Sequence, residues 1–292
     1  MSNSETKKAS RDLALALFKS VIFLCLTVLG PTMMLPTLAR LLAAFQIPLT
    51  LPISAIFHLS VGLLMLWLFA RFVEKRPWQD YGLSLKEPWQ ALTELYDGAL
   101  IGSTMVALVT LILFALGCYH IVAINYDNDL PMLIPTFLLA ALYEEILFRG
   151  YVLQTIEKAS NTITAVLLSS LLFGMAHMGN FNENVPLLTE IASCMALSLD
   201  AGVLFCAAFL VTRRLWLPLG LHAFWNVFEG PVFGTPVSAN EFGAPLFLSF
   251  LQGPQILTGG VFGPEASIIE LVISLLFAWW LWRLRYNSLE SL

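Results

Sequence analysis

Within the stretch LYEEILFRGYVL, residues 142–153, two adjacent carboxylates and a guanidinium interrupt a long apolar run. A charge in a lipid-spanning helix costs roughly 2.5 to 3.5 kcal/mol on insertion scales. Three of them in six residues therefore need partners and a purpose. Glu145 and Arg149 are four apart, one helical turn, and can pair. Glu144 is rotated about 100° from Glu145 at 3.6 residues per turn and has no partner in its own helix. This arrangement leaves Glu144 free to take a proton from a small molecule such as water. A buried ion network that only fixes helix packing is the alternative reading of the same residues.

Few other polar groups interrupt the apolar segments. His177 ends the run FGMAHMG, one turn after Phe173. His222 and Asn226 are four apart and share a helical face. A histidine beside a carboxamide offers two hydrogen-bond donors, which is what a developing oxyanion requires. Glu229 extends the same stripe, and Asp200 has no role assigned from sequence. His58 reads as a packed, hydrogen-bonded histidine and His120 as a solvated span end. One water-filled pocket accommodates the set most economically. There Glu144 deprotonates water, His177 shares that water, and His222 with Asn226 holds a carbonyl oxygen as it becomes tetrahedral. The chemistry is amide hydrolysis.

The elements that must position these groups follow from composition. Of 292 residues, 58% are hydrophobic and only 12% charged, against about 25% charged in a soluble domain, and the mean hydropathy is +0.78. The fold class is all-α, a polytopic transmembrane helix bundle. Spans are expected over about 12–30, 50–71, 97–119, 131–157, 161–178, 186–212, 215–230 and 266–283, eight in all. Gly30-Pro31 should break or kink the first of these, and 32–46 either continues it or lies at the interface. Residues 71–96 read as an interfacial segment. A short polar loop, NYDNDLP at 125–131, leads into the span at 131–157, and 231–265 read as a Gly- and Pro-rich loop, with a re-entrant piece at 244–252. The organisation is a polar tail over 1–12, one transmembrane domain over 13–286 with the motif-bearing core at about 130–230, and a tail over 287–292. Lys and Arg alternate between successive connections, with Arg40 the exception, which puts both termini in the cytoplasm.

Basic residues are too few and too scattered for a nucleic-acid surface, so no nucleic-acid partner is expected. Cys25, Cys118, Cys194 and Cys206 stand singly in or beside apolar runs, without metal or redox spacing, and read as apolar fillers. No HExxH is present. No cofactor is expected, and a zinc ion held by Glu144, His177 and His222 is the less favoured alternative.

Three motifs, EExxxR at 144–149, FxxxH at 173–177 and HxxxN at 222–226, occur in this order on successive spans. In this they resemble the type II CAAX prenyl protease family, also called the CPBP or abortive-infection family of intramembrane proteases. The resemblance covers about 130–230, and all three motifs are unsubstituted. It implies an all-helical intramembrane endopeptidase in the cell membrane, acting on a membrane-associated peptide or protein that includes lipidated, CAAX-like tails. It assigns the water-activating role to Glu144, water binding to His177, the oxyanion donors to His222 and Asn226, and a supporting role to Glu145 and Arg149. A glutamate-type mechanism without metal is the account the resemblance favours.

Two other classes compete: a non-catalytic scaffold or immunity protein of the same fold, and a transporter whose buried charges carry protons. The transporter reading lacks the repeated halves such carriers show. Depth is a further expectation. Counting about 1.5 Å per residue puts Glu144 roughly 20 Å, His177 28 Å and His222 12 Å from the cytoplasmic ends. Straight helices with these boundaries would not bring them together.

Overall fold

The computed structural model describes residues 3–181 and 184–290, with the side chains of 3, 4 and 286–290 left aside. Asn182 and Glu183, between the spans expected over 161–178 and 186–212, and the last two residues of the expected C-terminal tail lie outside the described residues. So do the first two residues of the expected N-terminal tail.

The chain opens with α1 (Asn3–Leu24), a π-helical turn (Cys25–Leu29) and α2 (Gly30–Ala44). These run on as one rod, and the π turn ends just before Gly30-Pro31. Pro31 has no N–H to give to the preceding turn, and its ring crowds the carbonyl four residues back. The helix widens there instead of breaking. Next come α3 (Leu51–Leu68), α4 (Pro88–Ala115), β1 (Tyr119–Ile124), α5 (Leu130–Glu145), a π-helical stretch (Ile146–Leu153) and α6 (Gln154–Ala159). Helix α7 (Thr162–Ala176) starts where the Asn161 side chain accepts the Thr164 amide at 2.9 Å, an N-cap at the start of the span expected over 161–178. The remainder is α8 (Leu187–Leu197), a π turn (Ser198–Gly202), α9 (Val203–Thr212), α10 (Trp216–Val227), a π turn (Phe228–Val232), β2 (Phe247–Leu251), the short α11 (Gln255–Thr258) and α12 (Ile268–Glu290).

Among the described residues, six helical segments are long and apolar enough to cross a membrane: Glu5–Ala44, Leu51–Val73, Pro88–Ala115, Leu130–Ala159, Thr162–Asn180 and Leu187–Thr212. Large apolar side chains such as Met33, Leu111 and Trp279 face outward along the bundle, as lipid contact requires. The chain is an integral membrane protein. Two expected spans do not meet that description. Helix α10 and the π turn that continues it, Trp216–Val232, rise about 25 Å, short of the ~30 Å hydrocarbon core. Helix α12 is long but carries Glu270, Arg283 and Arg285.

Three further expectations are corrected. The third span begins at Pro88, nine residues early, and takes in the end of the segment read as interfacial. Residues 119–124, between the third expected span and the NYDNDLP loop, and 247–251, expected as a re-entrant piece, are the two antiparallel strands of a small sheet, with a bulge between Ile121 and Ala123. Short apolar runs of this length look alike as strand or helix. The polar tail is also helical from Asn3 onward.

Helix α10 packs most extensively against α4, and glycines explain how. A Cβ at Gly98 would lie 2.1 Å from the Leu217 carbonyl oxygen, at Gly102 2.3 Å from that of Leu221, and at Gly220 2.0 Å from that of Leu95. Gly98 and Gly102 are four apart, the small-residue spacing that lets two membrane helices meet backbone to backbone. The contact seats α10, and with it His222, deep in the bundle.

Candidate active site

Glu144 is near the C-terminal end of α5, His177 caps α7, and His222 and Asn226 are on α10. The structure brings all four to one partly open pocket. Glu144 Oε2 is 4.0 Å from His177 Nε2 and 3.7 Å from His222 Nε2. The discrepancy in depth disappears because the helices differ in extent and α10 is short. Glu144 Oε2 is buried yet has no hydrogen-bond partner in the protein. Both separations are too long for a direct hydrogen bond and suit one bridging water.

Backbone and side-chain partners fix the two rings. His177 Nδ1 lies 2.9 Å from the Phe173 carbonyl oxygen. A carbonyl only accepts, so Nδ1–H donates and the neutral ring presents Nε2 to the pocket as an acceptor. This gives Phe173 of the FxxxH motif a backbone role as well as its ring, whose centroid is 4.9 Å from that of His177. His222 Nδ1 lies 2.9 Å from Glu145 Oε1 and likewise donates. The His222 ring stacks on Phe205, centroids 4.5 Å apart.

Glu145 does more than neutralise Arg149. Its Oε1 accepts from Arg149 Nη1 at 2.9 Å and also from His222 Nδ1. Both Glu145 and Arg149 are fully buried. Arg149 Nη2 donates to the Gly202 carbonyl at 3.2 Å, and the guanidinium lies 4.5 Å from the Phe173 ring centroid and 5.0 Å from that of Phe205. It is thereby tied to the π turn between α8 and α9. The result is a chain of contacts from Arg149 through Glu145 and His222 to Glu144.

Asp200 and Glu229 are buried and do not line this pocket. Glu229 accepts from Trp225 Nε1 at 3.0 Å, and Asp200 accepts from the Ala201 amide. His58 donates to or accepts from nothing in the site; its Nδ1 meets the Ser54 carbonyl at 2.8 Å, a packed histidine. His120 is on β1, stacked on Phe250. All four cysteines are free. Among the described residues, no group of three or more His, Cys, Asp or Glu has the geometry to hold a metal ion.

The pocket has a second wall that sequence reasoning missed. Asn180, Ser238, Asn240 and Glu265 line it opposite α5 and α10. Glu265 Oε2 accepts from the Ser238 amide at 2.6 Å and from Ser238 Oγ at 2.7 Å. Burial raises the Glu265 carboxyl above the usual carboxylate range, and the Ser238 donors draw it back. The only signal for this wall in the sequence was a pair of acids, Glu241 and Glu265, in a Gly- and Pro-rich loop, and nothing there told the two apart.

The fold and site define a class: a helical integral membrane protein with a carboxylate and two imidazoles gathered in a pocket between its helices. Residues 125–228, about a third of the chain, match the family model described as type II CAAX prenyl endopeptidase Rce1-like, so this stretch is similar to the type II CAAX proteases. That is a family of intramembrane proteases. The match ends just past Asn226, so the wall carrying Ser238 and Glu265 lies beyond it. No curated protein and no solved structure matches the chain.

Proposed function

We propose that the protein is an intramembrane endopeptidase that cleaves a membrane-associated peptide, lipidated tails included, with water activated by Glu144. One observation carries the reading: an unpartnered Glu144 oxygen lies within 4.0 Å of an imidazole nitrogen of both His177 and His222. Water between Glu144 and His177 gives one hydrogen to each acceptor and turns its oxygen lone pairs to the substrate. Glu144 takes the proton, and hydroxide adds to the scissile carbonyl carbon. Asn226 and His222 hold the resulting oxyanion. The C–N bond then breaks as Glu144 returns its proton to the departing nitrogen, leaving an acid and an amine.

The oxyanion role of His222 carries a condition. Its Nδ1–H is already given to Glu145, so Nε2 donates only when the ring holds both protons. Glu145 holds the ring in place through that bond, as the carboxylate of a hydrolase triad orients its imidazole. Arg149 in turn donates to the same Glu145 oxygen. A scaffold has no need to bury Glu144 here, because Glu145 is already paired with Arg149.

The reaction is read as metal-free and the location as the cell membrane, with the bilayer and a peptide or protein as partners. The test compares peptide termini in membranes containing either the active protein or Glu144→Ala. The reading expects at least one new terminus that disappears in the variant while both proteins accumulate equally. Identical sets of termini would overturn it.

A further inference from the structure

Val237–Asn240 is a tight two-residue turn beside the catalytic pocket. The Val237 amide donates to the Asn240 carbonyl at 2.9 Å, and the Asn240 amide to the Val237 carbonyl at 3.0 Å. Its two central residues, Ser238 and Ala239, have φ of +47° and +66°. Two positive φ values in succession are the hallmark of a hairpin turn normally built from Asn-Gly or Gly-Gly. Neither residue here is a glycine, so the backbone is held where L side chains are disfavoured. Such conformations persist only where the surroundings over-determine them, and they concentrate at ligand clamps and active sites.

The surroundings do so here. Glu265 accepts from both donors of Ser238, its amide and its hydroxyl. The Ser238 carbonyl accepts from the side chains of Asn180 and Asn240, each at 2.9 Å. The Ala239 amide donates to the Phe262 carbonyl at 2.8 Å. Glu265 is only 3% exposed, so its carboxyl is built into the wall. Asn180 is three residues after His177, which links this wall to the water-binding end of α7.

We propose that Glu265 is a positioning residue: it locks the strained Ser238–Ala239 turn as the wall against which an extended peptide lies with its scissile bond facing Glu144. This rests on the protease reading. Glu265 acts through Ser238, as a hydrogen-bond acceptor. An amide in its place can still accept through its carbonyl oxygen, whereas an apolar side chain of similar size cannot. Losing the acceptor strands two buried donors and releases the turn, which should weaken substrate binding without touching the acid and imidazoles.

The test uses the full-length protein in detergent and, as probe, a peptide carrying the terminus found in the membrane comparison. Cleavage constants are taken per folded molecule for Glu265→Gln, Glu265→Leu, Ser238→Ala and the Glu265→Leu, Ser238→Ala double variant. Binding of the same peptide is measured in a Glu144→Ala background. Glu265→Leu should raise KM about tenfold or more and weaken binding equally, with kcat changed by less than about threefold. Glu265→Gln should stay within about threefold of wild type, and the double variant should be no worse than Glu265→Leu, since both act on one hydrogen-bonded unit. A lower melting temperature with unchanged KM and binding in Glu265→Leu would reduce the residue to a structural role and overturn the proposal. So would a Gln variant as impaired as the Leu variant, because charge rather than acceptance would then be at work. Failure of wild type to cleave the probe strikes the protease reading instead, and the binding arm still reports on Glu265.

Discussion

At the scale of single residues, the site is a balance of charge in a place that tolerates little. Arg149 and His222 both lean on the one oxygen of Glu145. Removing one partner of a buried ion pair leaves the other uncompensated and typically costs about 3–5 kcal/mol. Arg149→Ala should therefore lower the yield and melting temperature of the folded protein, whereas His177→Ala should abolish cleavage and leave the melting temperature within a few degrees. Thermal unfolding in detergent, read beside activity, separates the two. Equal loss of stability in both would mean that the network is structural throughout. The metal-free reading is tested at the same scale. Activity should survive a chelator, and activity lost to the chelator and restored by zinc would reverse it.

At the scale of elements, the site depends on how closely α10 approaches α4. Gly98, Gly102 and Gly220 lie where a Cβ would enter a backbone carbonyl on the facing helix. Gly102→Val should push α10 outward, displace His222 from Glu144, and reduce monodisperse protein on size-exclusion chromatography. Unchanged elution and melting temperature would show that the crossing is looser than described. This is also the scale at which the sequence was hardest to read. EExxxR, FxxxH and HxxxN were legible because charged and polar groups in apolar helices demand a reason. The Gly98–Gly102 spacing was legible in principle, but it says nothing of its partner helix. The strands at 119–124 and 247–251 were hidden because five or six apolar residues carry too little periodicity to tell strand from helix. Ser238 and Ala239 gave no warning either. Residues that are not glycine do not advertise a positive φ, and what holds them there is Glu265, twenty-seven residues away.

At the scale of the whole molecule, the alternation of Lys and Arg implies an orientation. It predicts 120–130 and 231–265 on the face opposite the cytoplasm and 71–96 on the cytoplasmic face. In a cysteine-free background, Asp127→Cys should react with a membrane-impermeant maleimide in intact cells, and Lys86→Cys only after permeabilisation. The reverse pattern would invert the orientation. The gathering of the site was only partly foreseeable at this scale. Depth counted from straight, equal helices separated Glu144, His177 and His222, while the bundle joins them by unequal lengths, a short α10 and π turns after α5, α8 and α10.

The central claim is that Glu144 takes the proton from the attacking water. It is tested most directly by the kcat of Glu144→Gln, which keeps shape and hydrogen bonding but is far too weak a base. The account predicts that kcat falls by about 10²- to 10⁴-fold, the usual contribution of general acid–base catalysis, with peptide binding and melting temperature unchanged. A Gln variant that cleaves at the wild-type rate would contradict it.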